Sequence, residues 1–93
     1  MAKPWVVEQI VENAHARTEL LWLHAHEKED VATARELEKI DPALVDRLRA
    51  AGVDLTERPG EHSHARRERF GRLWDECYRR HERDAERSRR QHP

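Results

Sequence analysis

Seven of the 93 residues are histidine, against a single cysteine, Cys77. Glu12 and His15 stand in Glu-x-x-His spacing, which on a helix aims a carboxylate and an imidazole at one point, as in metal-binding helical bundles. Glu8, Glu12, His15, Glu19 and His26 follow one another at steps of four, three, four and seven, along one strip of a helix. Far along the chain, His81 falls in an apolar seam, one helical turn from Cys77 and three residues from Asp84. The candidate metal ligands are therefore Glu12, His15, Glu19 and His81. No cofactor is demanded by these residues; a divalent metal is the one they would suit. The competing reading is a solvated flank beside an apolar seam, since short spacing matches recur by chance. The pairs His24–His26 and His62–His64 are weaker: on a helix residues two apart point about 200° from each other, and His62 and His64, in or near a loop where chelation is easier, are expected to be solvent-exposed.

Two other chemistries compete. Cys77 and His81 are four apart, and an imidazolium beside a thiol stabilises the nucleophilic thiolate. Both share their face with Phe70 and Trp74, however, where cysteine packs as a small hydrophobe. No orienting third residue or glycine-rich oxyanion loop accompanies them, so no catalytic residue is assigned. Arg79, Arg83, Arg87 and Arg90 form a helical ridge, with Arg66, Arg67, Arg69 and Arg72 crowded upstream. Arginine suits phosphate forks, which makes that ridge a candidate nucleic-acid face. Asp75, Glu82 and Glu86 on the neighbouring strip oppose it.

These residues must be positioned by helices. Between Trp5 and Ile40 there is neither glycine nor proline, and Val7, Val11, Ala14, Thr18, Leu21 and Ala25 recur at steps of four and three. Past Ala25 the heptad would place Lys28 and Arg35 in the seam, but spacings of eleven continue, as in Ile10, Leu21 and Ala32. One helix over about 5–40 is expected, the alternative being a fresh start capped by Asp30 or Thr33. Asp41 before Pro42 predicts an N-cap and first helical residue, and Gly52 followed by Val53 a left-handed ending. That gives a short helix over about 42–51, then a loop over 52–62 containing Pro59-Gly60. The last helix spans about 63–90, with Phe70, Trp74, Cys77, His81 and Ala85 on one face. Five opposite-charge pairs four apart support it: Glu68–Arg72, Arg72–Glu76, Asp75–Arg79, Glu76–Arg80 and Glu86–Arg90.

The expected fold is all-α, one domain over 1–93: a hairpin of two long helices joined by a short helix and loop. A 36-residue helix would be about 54 Å long, out of scale with a compact chain of about 12 Å radius of gyration. Leu20, Leu21, Trp22, Phe70, Leu73, Trp74 and Cys77 supply more apolar surface than one seam between two helices hides. A partner is therefore expected, two hairpins making a four-helix bundle, most simply a homodimer. Trp5 is either a staple for the first helix or an exposed anchor.

Charge bounds the function. Eighteen basic and nineteen acidic groups leave −1 overall, against a polybasic tail or an acidic disordered segment. Residues 1–56 carry seven basic and eleven acidic groups, net −4, and residues 57–93 eleven and eight, net +3. An acidic first helix facing an arginine-rich last one is thus expected. The longest aliphatic or aromatic run is Leu20 to Leu23, too short for a membrane. Glu8, Gln9, Glu12 and Asn13 occupy positions where a secretory signal is apolar. One cysteine excludes an intrachain disulfide framework, so a cytoplasmic protein is expected. Fifteen arginines against three lysines fit a GC-rich bacterial or phage gene. The leading expectation is a small self-associating interaction or structural protein without catalysis. A metal-binding bundle and a nucleic-acid-binding accessory protein are the alternatives.

Overall fold

The computed structural model describes residues 13–91. Asn13 holds extended backbone, and its side-chain oxygen accepts the N–H of His15 at 2.9 Å, the side-chain cap that opens a helix. Helix α1 then runs over Ala14–Glu27. Trp5, Glu12 and the rest of the expected helix over 5–12 lie outside the described residues.

The chain does not continue as one helix to Ile40. Glu29 takes the left-handed conformation, φ 59°, and is followed by α2 over Val31–Ile40. The Asp30 N–H bonds the Ala25 carbonyl at 2.8 Å and the Glu29 N–H that of His26 at 3.1 Å, the paired bonds of a Schellman ending. Asp30 serves both helices: its carboxylate also accepts from the Thr33 N–H at 3.1 Å and the Thr33 hydroxyl at 2.6 Å. The eleven-residue spacing cannot register this break, because Asp30 competes for the backbone donors locally. The reward is tertiary, since α2 turns back and lays Ala34 and Leu37 on the core.

A left-handed non-glycine residue costs roughly 1–2 kcal/mol. Glu29→Gly is therefore expected to stabilise the fold by about 0.5–1 kcal/mol, even after loss of the exposed Glu29–Ser63 hydrogen bond. An unchanged or lower urea midpoint would contradict this.

Asp41 also departs from its expected role. It is the C-cap of α2, its N–H on the Leu37 carbonyl at 2.9 Å, while α3 spans Leu44–Ala50 with no side-chain cap. Pro42 and Ala43 form a turn rather than the first helical residues. The carboxylate that would cap α3 is instead engaged by Arg47. The end of α3 follows the sequence closely. Gly52 is left-handed, its N–H on Arg49 and that of Val53 on Leu48, both at 3.0 Å, with Val53 against the core.

Helix α4, Ser63–Gln91, is the long helix expected. Phe70, Trp74 and Cys77, at steps of four and three, are its buried side. None of the five anticipated charge pairs along it closes into an ion pair; Arg80 turns inward to α1 instead.

Packing explains why one long hairpin is not needed. Helix α1 packs against α2, α3 and α4. It buries Ala16, Glu19, Leu20, Trp22, Leu23 and Ala25, which cover most of its circumference. The expected seam is only partly the buried side: among its described residues Ala25 is buried, Thr18 and Leu21 are half-buried and Ala14 is exposed. Leu20, Leu23, Leu44, Leu48 and Cys77 are fully buried at the centre. Trp22, Phe70 and Trp74 close the core, with Leu21 and Leu73 half-buried against it. Of the residues expected to need a partner, Leu20, Trp22, Phe70, Trp74 and Cys77 are buried within one chain by the fold-back of α2 and α3, and Leu21 and Leu73 are half-buried. The radius of gyration is 13.6 Å. No helix among the described residues is long and apolar enough to cross a membrane.

Candidate functional site

The side chains marked for chemistry converge on one buried carboxylate. Glu19 sits near the middle of α1 and is 4% exposed. A carboxylate so placed requires cations or donors around it, or it would take up a proton. Helix α4 supplies Arg80 Nη2 at 3.1 Å and His81 Nε2 at 3.3 Å from Oε1, and α3 supplies Arg47 Nε at 3.2 Å from Oε2.

Arg47 extends the network. Its two terminal nitrogens fork onto Asp41, Nη1 to Oδ1 at 2.9 Å and Nη2 to Oδ2 at 2.6 Å, the bidentate geometry that arginine makes best. The Thr18 hydroxyl lies 2.9 Å from Asp41 Oδ2, and His15 Nδ1 lies 3.3 Å from the same oxygen. Side chains from α1, the α2–α3 junction, α3 and α4 are thereby tied at one place.

Of the four candidate ligands, Glu19 and His81 meet directly. His15 belongs to the Asp41 end of the network with its side chain mostly exposed, and Glu12 lies outside the described residues. Cys77 joins instead: donor atoms of Glu19, Cys77 and His81 lie within 4.8 Å of one another. That is metal-ligand spacing, but Arg80 Nη2 stands among all three donors. It is 3.1 Å from Glu19 Oε1, 3.6 Å from Cys77 Sγ and 3.4 Å from His81 Nε2. A divalent ion would have to displace this guanidinium and take the proton from the thiol. Burial pushes the Cys77 thiol up to about 12, outweighing the opposing charge of Arg80. Iodoacetamide at about pH 8 is therefore expected to leave the folded protein unlabelled and to label it in denaturant. Rapid labelling of the folded protein would contradict this.

Burial opposes ionisation of Glu19, but the hydrogen bond and charge of His81, with those of Arg47, hold it below the usual carboxylate range. Asp41 is held further down, chiefly by its bond to Arg47, with Thr18 and His15 contributing. Unfolded carboxylates titrate near about 4. Below that pH the unfolded chain gains protons that folded Asp41 and Glu19 do not take up. The stabilisation is complete above the unfolded value and is lost as pH falls toward the folded ones. The urea midpoint should decline gently from about pH 7 to 5, as the unfolded chain protonates a His26 that burial keeps neutral in the fold, and fall steeply below about 4. Asp41→Asn should flatten that fall; an unaltered slope would contradict the assignment.

Sequence spacing missed Arg47, Asp41 and Arg80. The signal available was Glu19 itself, a carboxylate flanked by Leu20 and near Leu23, whose burial demands cations. Arg79, Arg83, Arg87 and Arg90 are all exposed on α4 and, like Arg72, make no ion pair among the described residues. The expected pairing of acidic α1 with arginine-rich α4 includes Glu19 with Arg80 and His81. Comparison with family models, curated proteins and solved structures finds none that this chain matches.

Proposed function

We propose that this chain is a small helical interaction module without catalysis of its own, which pairs with a second copy through surface charge. The supporting observation is the exposed ridge Arg72, Arg79, Arg83, Arg87 and Arg90, which makes no ion pair among the described residues. The chain's first 56 residues carry net −4, the opposite sign to this ridge. The residues suited to reactive chemistry are meanwhile engaged in holding the helices together. A charge-driven pair replaces the expected dimer through the core, whose residues are covered within one chain.

Light scattering tests it. The mass should rise from 11.1 kDa toward twice that value with concentration at about 50 mM salt, and fall back at about 500 mM. Reversing the ridge with Arg79→Glu, Arg83→Glu and Arg87→Glu should abolish the rise without lowering the melting temperature. A mass of 11.1 kDa at every concentration and salt would overturn the reading.

The same ridge supports a second reading, a nucleic-acid accessory protein, because exposed arginines suit phosphate contacts. Glu76 and Glu86 interleave with it, which disfavours that reading. Binding to random duplex DNA that is lost between about 50 and 200 mM salt would promote it over self-association.

A further inference from the structure

Apart from the Glu19 network, the 53–62 loop and the surface of α1, α3 and the start of α4, with Glu38 of α2, enclose an open cleft of about 600 Å³. Small-molecule sites span roughly 300–1,000 Å³. Its apolar lining is Trp22 and Phe70, with Val45 and Leu55. His26 packs on both aromatic rings, 4.2 Å from Trp22 and 5.1 Å from Phe70 between centroids, the latter pair stacked, while Trp22 and Phe70 meet edge-on at 6.4 Å. The guanidiniums of Arg66 and Arg69 stand 4.9 and 4.8 Å from the Phe70 centroid.

Four arginines line the cleft against three glutamates, and all but one of these arginines have a carboxylate. Arg69 forks onto Glu61 at 2.9 and 2.8 Å, Arg58 lies 3.4 Å from Asp54, and Arg49 lies 3.9 Å from Asp46. Arg66 has none among the described residues; its Nη2 lies 2.8 Å from His26 Nδ1. A guanidinium can only donate, so Nδ1 accepts and the imidazole proton sits on Nε2. Burial, reinforced by Arg66, holds His26 below its ordinary range, so the ring is neutral at pH 7.

That assignment exposes a pattern. His26 Nε2, Trp22 Nε1, Arg66 Nε and Arg69 Nη1 are all buried N–H groups without an acceptor, and all four residues line this cleft. Native proteins leave few buried donors unpaired, and here the shortfall is entirely of acceptors, beside a guanidinium that closes no ion pair, Glu61 acting on it only from beyond contact. An acceptor that enters the cleft and shifts the side chains covering these nitrogens would satisfy them.

We propose that the cleft binds a small organic anion, a carboxylate or phosphate on a flat apolar body, with Arg66 pairing the oxyanion and Trp22 and Phe70 packing the body. The two oxyanions share one chemistry at a guanidinium and are separated by the probes chosen.

A ¹H–¹⁵N correlation titration tests this. Benzoate or phenyl phosphate should shift the Trp22 indole N–H saturably, the resonance being identified by its loss in Trp22→Phe. Acetate and benzylamine, lacking the ring or carrying the opposite charge, should bind at least about tenfold more weakly. Arg66→Gln should weaken binding about tenfold or more, and Arg66→Lys, which keeps the charge but not the fork, by less. The stronger of benzoate and phenyl phosphate identifies the preferred oxyanion. Benzylamine binding as well as benzoate, Arg66→Gln without effect on a native spectrum, or no Trp22 shift by about 10 mM of either anion would overturn the proposal.

Discussion

Replacing Glu19 with alanine should destabilise the fold by about 3 kcal/mol, the largest effect expected of any single charged residue here. The carboxylate is the shared partner of Arg47, Arg80 and His81, and its side chain is only 5% exposed. Removing it leaves two guanidiniums facing each other across a cavity. Breaking a fully buried ion pair costs about 3–5 kcal/mol. The arginine side chains retain 27% exposure each, so water relieves part of that cost and the lower figure applies. For a chain of this size such a loss lowers the melting temperature by roughly 12–24 °C. Glu36, exposed on α2 and paired only with exposed Lys39, is the control, its alanine variant costing no more than about 0.5 kcal/mol. Equal melting temperatures for Glu19→Ala and Glu36→Ala would show that the network does not hold the fold.

Trp74→Ala is the second large effect. Trp74 is 5% exposed in the core and stacks on Tyr78 at 5.3 Å between centroids. Deleting an indole from such a position costs about 3–5 kcal/mol, a large part of the roughly 5–14 kcal/mol that holds a chain of this length. Because Trp74 is covered within one chain, the loss should not depend on protein concentration. A side chain buried only between two chains would show a concentration-dependent loss instead. Urea unfolding at two concentrations a hundredfold apart distinguishes the two. An unchanged midpoint would contradict the burial itself.

How much of this was legible in the sequence differs from element to element. Helix α4 and the Gly52 ending of α3 were legible, because apolar spacing and a left-handed glycine are local signals. So was membership of the core for Leu20, Trp22, Phe70, Trp74 and Cys77. The break before Asp30 was visible only as an alternative: spacing alone does not weigh a continued helix against the burial that α2 gains by turning back. Counting one apolar stripe also misjudged α1, which is packed on three sides. The Glu19–His81 contact could be anticipated, since both sit on faces that must meet. The cation between them could not. Arg80 has a ready partner in Glu76 one turn earlier, and only the fold shows that it reaches Glu19, sixty-one residues away. Asp41 is similar: its N-cap position is a local signal, while Arg47 and Thr18 claim its carboxylate through tertiary contacts.

If Arg80 is the cation of the Glu19, Cys77 and His81 cluster, then no metal is needed there, and the cluster belongs to the fold rather than to a reaction. The direct test is the melting curve of the full chain in a chelator and in about a hundredfold excess of zinc. Zinc present at about a hundred times the dissociation constant of such a site would add about 2.7 kcal/mol, shifting the midpoint by roughly 10–20 °C. The expected result is superimposable curves for the native protein, and for His81→Gln a lower midpoint equally indifferent to zinc. A zinc-dependent rise in the native protein that disappears in His81→Gln would contradict it and make the cluster a metal centre.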